Sequence, residues 1–332
     1  MKFLRIILFP FVPIYFLVTW IRNLLYDKGI KSSKSYDIPI ICVGNLSTGG
    51  TGKTPMIEYL IRLLNSEKHI ATLSRGYKRT SQGFVLADSG TTVNAIGDEP
   101  YQFFNKFESI KVAVDANRRN GIERLMALPD SPEVILLDDA FQHRKVEAGF
   151  NILLTAYNNL YYNDIVLPTG NLREPKSGSK RADIIVITKC PKDITEVKKR
   201  EIINGLKLQP QQSAFFSYIE YAELVISNKN EIKINELPHF TLVTGIANAK
   251  PLVDFLKREG LEFDHLEFDD HYSFKTEDIK TFENLGVVVT TEKDYMRLAH
   301  EERLKKKLYY LPIRLKIEAS DSFDKMVKAF IN

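Results

Sequence analysis

A glycine-rich stretch near the N-terminus has the residue types and spacing that bind phosphate. It reads ICVGNLSTGGTGKTP over residues 41–55, and its end matches the pattern G-x-x-x-x-G-K-[ST], in which backbone amides and a lysine hold phosphates and the last hydroxyl holds Mg²⁺. An apolar strand-like run precedes it and a helical pattern follows, and the amides at the start of such a helix favour an anion. A glycine-rich turn without function would not explain the adjacent Lys53 and Thr54. The stretch predicts a nucleotide-phosphate site formed by Ser47, Thr48, Gly49, Gly50, Thr51, Gly52, Lys53 and Thr54.

One position of this loop departs from the pattern. Counting back from Lys53, the first glycine should stand at position 47, where the sequence has Ser47. The residues alone leave open whether this is a decayed site or a variant that belongs to a particular chemistry. In either case we expect Lys53 to reach the β- and γ-phosphates of a nucleotide and Thr54 to bind Mg²⁺.

Two adjacent acids provide a candidate partner for the metal. The run VILLDDAFQHR places Asp138 and Asp139 directly after four apolar residues, where phosphate-loop enzymes carry a metal-binding carboxylate. Two carboxylates at the end of a buried strand are costly to place without a cation. One could hold Mg²⁺ through its water shell while the other orients a neighbour. His143 follows closely, and a structural hydrogen bond and an active-site role are equally compatible with it.

Further charged clusters follow other apparent elements. Asp98 and Glu99 open a helix, where acids commonly do no more than complement the helix dipole. Arginine-containing turns at 75–79, 115–119 and 168–175 each follow an apparent strand, and ligands of such sheets lie beyond the carboxyl ends of the strands. Each turn could equally be a solvated basic loop. Together they predict an arginine-rich cleft suited to phosphate groups.

The elements that must position these residues follow an alternating pattern. From Ile38 onward, short β-branched runs alternate with helical patterns, which is typical of βαβ units and an α/β fold with a mostly parallel sheet. We expect a phosphate-loop domain over residues 35–212. A period-two, turn-rich stretch then predicts a β-ribbon or linker, and a second α/β set follows. Residues 213–332 are expected to form this ribbon and a smaller domain, with the final residues able to return to the first, and a cleft is expected between the domains.

The N-terminal segment, residues 1–34, differs in composition from the rest. It has no charged residue from Ile6 to Ile21 and basic residues on both sides. Pro10 and Pro13 would bend a helix, and a stable crossing needs about 20 apolar residues. The segment shows no small-residue cleavage site, which argues against a cleaved signal peptide. The segment predicts an interfacial membrane anchor with basic flanks on anionic head groups; a core helix packed on the body is the alternative.

Composition limits the remaining classes. The chain has 332 residues, 44% apolar and 27% charged, which is enough for about two globular domains. A net charge of +4 is too mild to argue for nucleic acid. Cys42 and Cys190 lie in apolar runs without metal-ligand spacing, so we expect buried small side chains in a reducing compartment rather than a disulfide.

The motifs occur in an order that resembles a known family. VGNLSTGGTGKTP, SRGYKR, GDEP, DANR, LLDDAFQHR, LPTGNLREP and DDHYSF closely resemble those of the tetraacyldisaccharide 4′-kinase family of Gram-negative bacteria, from the anchor to about Asp294. The loop of this family is similar to GNxxxGGTGKTP, in which the position of Ser47 is not a glycine. The resemblance implies an α/β fold with a large phosphate-loop domain, a smaller α/β domain and a two-stranded ribbon that joins them.

The resemblance also implies an activity and its location. ATP, with Mg²⁺, would donate its γ-phosphate to the 4′-hydroxyl of an acylated disaccharide 1-phosphate, giving lipid IVA in lipid A and lipopolysaccharide biosynthesis. The enzyme would work at the cytoplasmic face of the inner membrane, held by a peripheral or single N-terminal anchor. No nucleic acid and no obligate protein partner is expected.

Site roles follow from the same resemblance. Asp98 matches the catalytic aspartate and His271 its partner, and our hypothesis is that domain closure assembles this pair. The catalytic set would comprise Asp98, His271, Lys53, Asp138 and Asp139. The metal set would comprise Thr54, Glu99, Asp138 and Asp139. Positions near the acceptor substrate would be Tyr77, Arg118, His143, Arg173 and Glu174.

A different class, a membrane-associated ATPase or GTPase switch that transfers phosphate only to water, is the alternative. The stretch ITKCP at 187–191 weakly resembles a guanine-reading loop, but such a loop needs an aspartate where Pro191 stands. A non-catalytic scaffold would leave three acid clusters beside a phosphate loop unexplained. The motif TTEKD at 290–294 is expected to cap a helix near the cleft, and the residues indicate no further role for it.

Overall fold

Two β-sheets with helices on their faces organise the part of the chain that the computed structural model describes, residues 2–228, 230–270 and 272–332. The strands, in chain order, are β1 Ile40–Asn45, β2 Ile70–Ser74, β3 Val85–Leu86, β4 Lys111–Val114, β5 Val134–Asp138, β6 Phe150–Ala156, β7 Ile184–Thr188, β8 Ser213–Tyr221, β9 Leu224–Ile226, β10 Glu231–Lys233, β11 Phe240–Thr244, β12 Phe263–Glu267, β13 Val287–Thr291, β14 Leu308–Leu311 and β15 Ile313–Ile317. The α-helices are α1 Lys2–Ile7, α2 Val12–Asp27, α3 Lys53–Leu64, α4 Val93–Ile96, α5 Asp98–Lys106, α6 Arg118–Met126, α7 Glu196–Leu206, α8 Lys250–Arg258, α9 Thr276–Glu283, α10 Glu292–Leu298 and α11 Ser320–Ile331. The predicted alternation of strands and helices is confirmed.

The first sheet places the predicted motifs along one edge. Its order over the described residues is β15-β8-β7-β6-β1-β5-β2-β4-β3, with parallel pairing from β8 through β4 and antiparallel pairing only at the outer strands β3 and β15. Strands β1, β2, β5 and β7 are buried along their whole length, as expected where helices cover both faces. Because these strands are parallel, the loops that leave their carboxyl ends lie side by side.

Apolar clusters on both faces hold this sheet. On one face α3, α5 and α11 pack against it through residues such as Leu60, Phe103 and Phe323. On the other face α6 and α7 contribute Ile122 and Ile202. These side chains are completely buried, and full burial of one such side chain is worth about 1.5–3 kcal/mol. The helices therefore fix the edge from which the site is built.

The second sheet is smaller and mixed. Its order over the described residues is β10-β9-β14-β13-β11-β12, with β12, β11, β13 and β14 parallel and β9 and β10 antiparallel at one edge. Helix α8 covers one face through Leu252 and Leu256. Helices α9 and α10 cover the other face through Phe282 and Leu298.

The stretch after residue 208, predicted as a β-ribbon or linker, divides between the two sheets. Strand β8 extends the first sheet, while β9 and β10 belong to the second. The antiparallel partner of β8 is β15, with Tyr221 opposite Ile313 and Ser217 opposite Ile317. After β15 the chain stays on the first sheet, where Phe323 of α11 packs edge-on against Phe215 of β8 with ring centroids 5.4 Å apart.

The N-terminal segment lies on the outside of the first sheet unit. Pro10 falls in a 3₁₀ turn between α1 and α2 and Pro13 in the first turn of α2, which confirms the predicted interruption. The stretch Phe9–Asp27 is long and apolar enough to cross a membrane by length and composition, and only 6% of its most apolar window is buried in the protein. The helix is therefore not buried in a core, although one of its sides packs on the body of the protein through Tyr15 and Arg22. Cys42 and Cys190 are buried free thiols, as predicted.

Helices α5 and α10 form a charged contact between the two sheet units. Lys106 of α5 lies 2.5 Å from Glu292 of α10 and 2.8 Å from Glu58 of α3, measured from Nζ to a carboxylate oxygen. Glu58 and Glu292 are buried. Burial, together with the charge of Glu58, raises the pKa of Glu292 to about 7 although Lys106 opposes the shift.

We expect this contact to make stability depend on pH. Because the pKa of Glu292 rises from 4.5 to about 7 on folding, the folded protein binds the proton more tightly, and stability is lost as pH increases through this interval. Glu292→Gln cannot ionise and should melt at a higher temperature than the wild type at pH 8 but close to it at pH 5. Glu283→Gln, at a half-exposed ion pair in α9, is the control. An equal difference at both pH values would contradict the prediction.

Candidate active site

The glycine-rich loop joins the end of β1 to the start of α3. Gly49 and Gly52 have positive φ angles of 102° and 87°, which glycine adopts without steric cost. Lys53 and Thr54 are the first two residues of α3 and Gly52 is its N-cap. The unsatisfied amides at a helix start point towards a bound anion. The predicted strand, loop and helix context of the phosphate site is therefore present.

Hydrogen bonds from neighbouring strands hold the loop in this shape. Asn45 donates from Nδ2 to Thr51 Oγ1 at 2.8 Å, and Thr188 at the end of β7 donates from Oγ1 to the carbonyl of Thr51 at 2.7 Å. Lys189 Nζ donates to the carbonyl of Gly50 at 2.6 Å. Burial and the nearby charge of Lys53 lower the pKa of Lys189. The sequence prediction did not include Lys189, although its position directly after a buried strand is the signal by which it could be found.

The structure explains why Ser47 can replace the first glycine of the pattern. Ser47 is buried, and it forms an isolated antiparallel bridge with Leu172. Ser47 is not one of the described residues that have a positive φ angle. Its backbone is therefore accessible to any L-residue, and the adjacent Thr48 amide donates to the carbonyl of Asn171 at 2.8 Å. The loop is braced by residues 171–172 at the position where a glycine was expected.

Asp139 lies between two cations. Arg173 donates from Nη2 to Oδ1 at 2.7 Å and from Nη1 to Oδ2 at 3.2 Å, and Lys53 Nζ lies 3.8 Å from Oδ2. Arg173 also bonds to the backbone and side-chain oxygens of Asn45. Burial alone would raise the pKa of Asp139, but Lys53 and Arg173, with Arg118, together lower it. Asp139 is therefore an ionised anchor that orients Lys53 and Arg173.

Asp138 has a different environment. Its Oδ1 is buried with no hydrogen-bond partner among the described residues, and its Oδ2 accepts only a long bond of 3.3 Å from Ser74 Oγ. Burial raises the pKa of Asp138 to about 6, against the lowering effect of Lys53, and Asp139 adds to the rise. A buried carboxylate oxygen without a partner is costly unless a ligand satisfies it.

The donor set fits Mg²⁺ bound together with a nucleotide. No group of three or more His, Cys, Asp or Glu side chains able to hold a metal occurs in the described part of the chain. Mg²⁺ keeps several waters and commonly takes one or two carboxylates plus substrate phosphates. The Thr54 hydroxyl and the orphaned oxygen of Asp138 meet that requirement.

The acids at the start of α5 contact the second sheet unit. Both oxygens of Asp98 accept hydrogen bonds from Arg297 of α10, at 3.2 and 2.5 Å. Glu99 pairs with Lys293 of the same helix at 3.0 Å. The predicted partner of Asp98, His271, lies outside the described residues.

The predicted acceptor residues fall into two groups. Tyr77, Arg118, His143 and Arg173 line one cleft with the phosphate loop. Glu174 is only 1% exposed and is not among the residues that line the cleft over the described chain; it accepts hydrogen bonds from Asn23, Gln142 and Arg181. It therefore ties helix α2 to the loop beside the site.

Arg118 is buried and His143 is half-buried in the cleft group. Arg118 donates to the carbonyls of Asp115 and Asp138 at 2.6 and 3.3 Å, which supports the end of β5. Burial, together with Arg118 and Lys145, lowers the pKa of His143 to about 4. His143 is thus neutral at pH 7, and its Nε2 has no hydrogen-bond partner among the described residues.

The cleft lies between the two sheet units. Its volume is about 1020 Å³, at the upper limit of ordinary small-molecule sites, which are roughly 300–1,000 Å³. Lining residues from the first unit include the phosphate loop, Asp138, Asp139 and Glu99, and those from the second include Asp270, Lys293 and residues 246–248. The sequence prediction missed the contribution of Lys293 and residues 246–248, since nothing local indicates which loops of the second unit face the first.

The parallel sheet, the loop at the start of α3 and the acids at the end of β5 define a P-loop nucleotide-binding protein with a cleft lined by both basic and acidic side chains. The chain belongs to the tetraacyldisaccharide-1-P 4′-kinase family, whose family model matches residues 4–332.

Similar proteins cover the whole chain. A tetraacyldisaccharide 4′-kinase of Flavobacterium johnsoniae is 51% identical over 100% of this chain and 98% of that protein, and one of Bacteroides thetaiotaomicron is 45% identical over 98% and 92%. The crystal structure of LpxK from Aquifex aeolicus in complex with ATP has a TM-score of 0.80 and 31% identity, and the match covers 99% of this chain and 100% of that one. The expected family and fold class are confirmed.

The contrast between the two adjacent aspartates gives a prediction for the protein without metal. Because burial holds the pKa of Asp138 at about 6, its ionisation costs stability above that pH, and in EDTA at pH 8 Asp138→Asn should raise the melting temperature. Asp139→Asn removes the ion pair with Arg173 and should lower it. The two substitutions lie at adjacent positions, so thermal melts of the two variants provide a matched test. A fall in melting temperature of equal size in both variants would contradict the different environments assigned to Asp138 and Asp139.

Proposed function

We propose that this chain transfers the γ-phosphate of ATP to the 4′-hydroxyl of a tetraacyldisaccharide 1-phosphate, giving lipid IVA in lipid A biosynthesis. One observation carries the proposal: the phosphate loop, the acids after β5 and Glu99 at the start of α5 line a single cleft that the second sheet unit completes. A hydrolytic switch needs only the first two of these features. Family membership is consistent with the kinase and supplies the acceptor.

Lys53 and the arginines neutralise the phosphates. Lys53 begins α3 beside the loop amides, and Asp139 holds it and Arg173 towards the cleft. In-line phosphoryl transfer asks mainly for alignment and charge neutralisation, and the contacts with Asp139 orient both of these cations. Thr54 and Asp138 would hold Mg²⁺, with Glu99 lining the same cleft and Asp139 engaged by its two cations. Bound Mg²⁺ would supply positive charge that neutralises the transferring phosphate.

Asp98 serves as the general base for the sugar hydroxyl. A positioned base typically contributes about 10²–10⁴ in rate. His271, expected to act with Asp98, is proposed as its partner from the family resemblance alone. We regard residues 35–212 and 213–332 as the two domains that close on the substrates, with β15 and α11 returned to the first.

The remaining predicted residues position the acceptor. Neutral His143 offers its buried Nε2 to a hydroxyl or phosphate, Tyr77 is an exposed ring at the cleft, and Arg118 supports the strand that carries Asp138. Glu174 acts indirectly, through the bond that it accepts from Asn23 of α2 at 2.6 Å.

The N-terminal segment brings the membrane surface to the site. Large apolar side chains of this segment are exposed, namely Ile6, Ile7, Leu8, Phe9, Phe11, Ile14, Phe16, Leu17, Val18, Trp20 and Ile21. The opposite side of α2 is joined to the body where the site loops lie, through Tyr15 to the carbonyl of Arg173 and Arg22 to that of Gln142. An apolar face with basic flanks lies in the membrane interface, so the acylated substrate can reach the cleft while its chains stay in the cytoplasmic leaflet of the inner membrane.

The activity is tested with radiolabelled ATP and the acylated disaccharide 1-phosphate in detergent micelles. We expect label in the lipid product with the wild type, and a fall in kcat of at least about 10²-fold with Lys53→Met or Asp98→Asn, because each removes a group that aligns or activates a reactant. Lys180→Met, on the surface of the 176–181 turn, is the control. Label released only as inorganic phosphate would support the hydrolytic switch instead.

The anchor is tested by partition onto anionic vesicles. Replacing the exposed residues Ile14, Leu17 and Val18 by serine should reduce vesicle binding at least tenfold, because each buried CH₂ contributes about 0.8 kcal/mol to such binding. Turnover of substrate in detergent should stay close to that of the wild type. Val197→Ser, at an equally exposed apolar residue of α7, is the matched control. Unchanged partition of the triple variant would refute the anchor.

A further inference from the structure

Helix α10 begins within the TTEKD motif, where Thr291 caps it as predicted, and it faces the acids of α5. The geometry points to Arg297 as a positioning residue for Asp98, held in place by Asp294 of that motif. The inference rests on the proposed function, in which Asp98 is the base.

Arg297 makes a bidentate hydrogen-bonded contact with Asp98. Arg297 donates from Nε to Oδ1 at 3.2 Å and from Nη2 to Oδ2 at 2.5 Å. The two side chains are largely shielded, with 11% and 18% of their surfaces exposed. A guanidinium that engages both oxygens fixes the plane of the carboxylate as well as its position. A carboxylate oxygen can accept more than one hydrogen bond, so the clamp is compatible with proton transfer to Asp98.

Arg297 is itself fixed from inside the second sheet unit. Its Nη1 donates to Asp294 Oδ1 at 3.0 Å, and Asp294 is completely buried. The other oxygen of Asp294 accepts from the amide of Gly245 at 2.9 Å and from Thr291 Oγ1 at 2.6 Å. Gly245 directly follows β11 and Thr291 is the last residue of β13, so the guanidinium is oriented by the core of that unit.

Gly245 shows how closely this chain of contacts is packed. A Cβ on Gly245 would lie 3.0 Å from Asp294 Oδ1, the oxygen that holds Arg297. This glycine begins the loop whose residues 246–248 line the cleft. The same short turn therefore borders the cleft and sets the position of the arginine.

A second pair from the same helix acts in the same direction. Lys293 Nζ lies 3.0 Å from Glu99 Oε1, and both residues line the cleft. The first turn of α5, with both of its acids, is thus oriented by two cations one turn apart on α10. The arrangement of Asp98 and Glu99 therefore depends on the contact between α5 of the first unit and α10 of the second.

The test compares Arg297→Met and Arg297→Lys with the wild type. Arg297→Met should lower kcat about 10–100-fold, the range expected when a reacting group is misplaced by about 1 Å, while KM for ATP and for the lipid stays within about twofold. Arg297→Lys keeps a charge but not the fork and should recover part of the loss. Arg303→Met, at a half-exposed arginine paired with Glu283 at 3.5 Å, should match the wild type.

A double variant shows whether Arg297 acts through Asp98. Arg297→Met combined with Asp98→Asn should be no slower than Asp98→Asn alone, because the positioned group has already been removed. An unchanged kcat in Arg297→Met, or losses that multiply in the double variant, would overturn the inference. A raised kcat would identify the pair as an autoinhibitory contact and would overturn it equally.

A melting experiment separates this inference from the proposed function. If the wild-type chain transfers no phosphate to the lipid, the proposed function fails while the clamp is still measurable. The clamp requires the effects of Asp98→Asn and Arg297→Met on the free energy of unfolding to be non-additive. Additive effects would overturn the clamp whatever the activity.

Discussion

The arrangement of the whole site depends on Asp139, a carboxylate held between the cations Lys53 and Arg173. This contact joins the phosphate loop, the end of β5 and the 168–175 loop, which are far apart in the sequence. The Asp139 side chain is 36% exposed, and its contacts with the two cations bring the three segments to one point. The neighbouring Asp138 is left with a buried oxygen that has no partner among the described residues, which is the position a metal with a nucleotide would satisfy.

The same loop connects the site with the N-terminal helix α2, whose apolar side is exposed. The carbonyl of Arg173 accepts from Tyr15, and the adjacent Glu174 accepts from Asn23, both on α2. The polar side of α2 therefore contacts the body of the protein, while its apolar side is exposed. An enzyme whose acceptor carries acyl chains needs such an arrangement, because the chains are costly to move through water and the reacting hydroxyl must still reach the cleft.

The two sheet units are joined by the chain itself and by ion pairs. The chain leaves the first sheet after β8 and returns to it at β15, and these two strands pair as a hydrogen-bonded ladder. Helices α5 and α10 meet through ion pairs that include Asp98 and Glu99. Hinge motions use a few residues at element ends and repack side-chain contacts. We infer that the β8–β15 ladder persists during such a motion and that the orientation of Asp98 and Glu99 depends on the ion pairs between α5 and α10.

Local sequence determined the strands, the phosphate loop and the acids after β5, because buried parallel strands are apolar runs and the loops at their carboxyl ends meet at one edge. The family resemblance added the acceptor and the role of Asp98, which periodicity alone does not contain. Only the tertiary structure decided that Asp139 is paired while Asp138 is not, that Glu174 is buried under α2, and that β15 closes the ribbon with β8. It also brought Arg297 onto Asp98, 199 positions away. Pairings at such separations leave no periodic or compositional signal, since they depend on how complete sheets pack against each other.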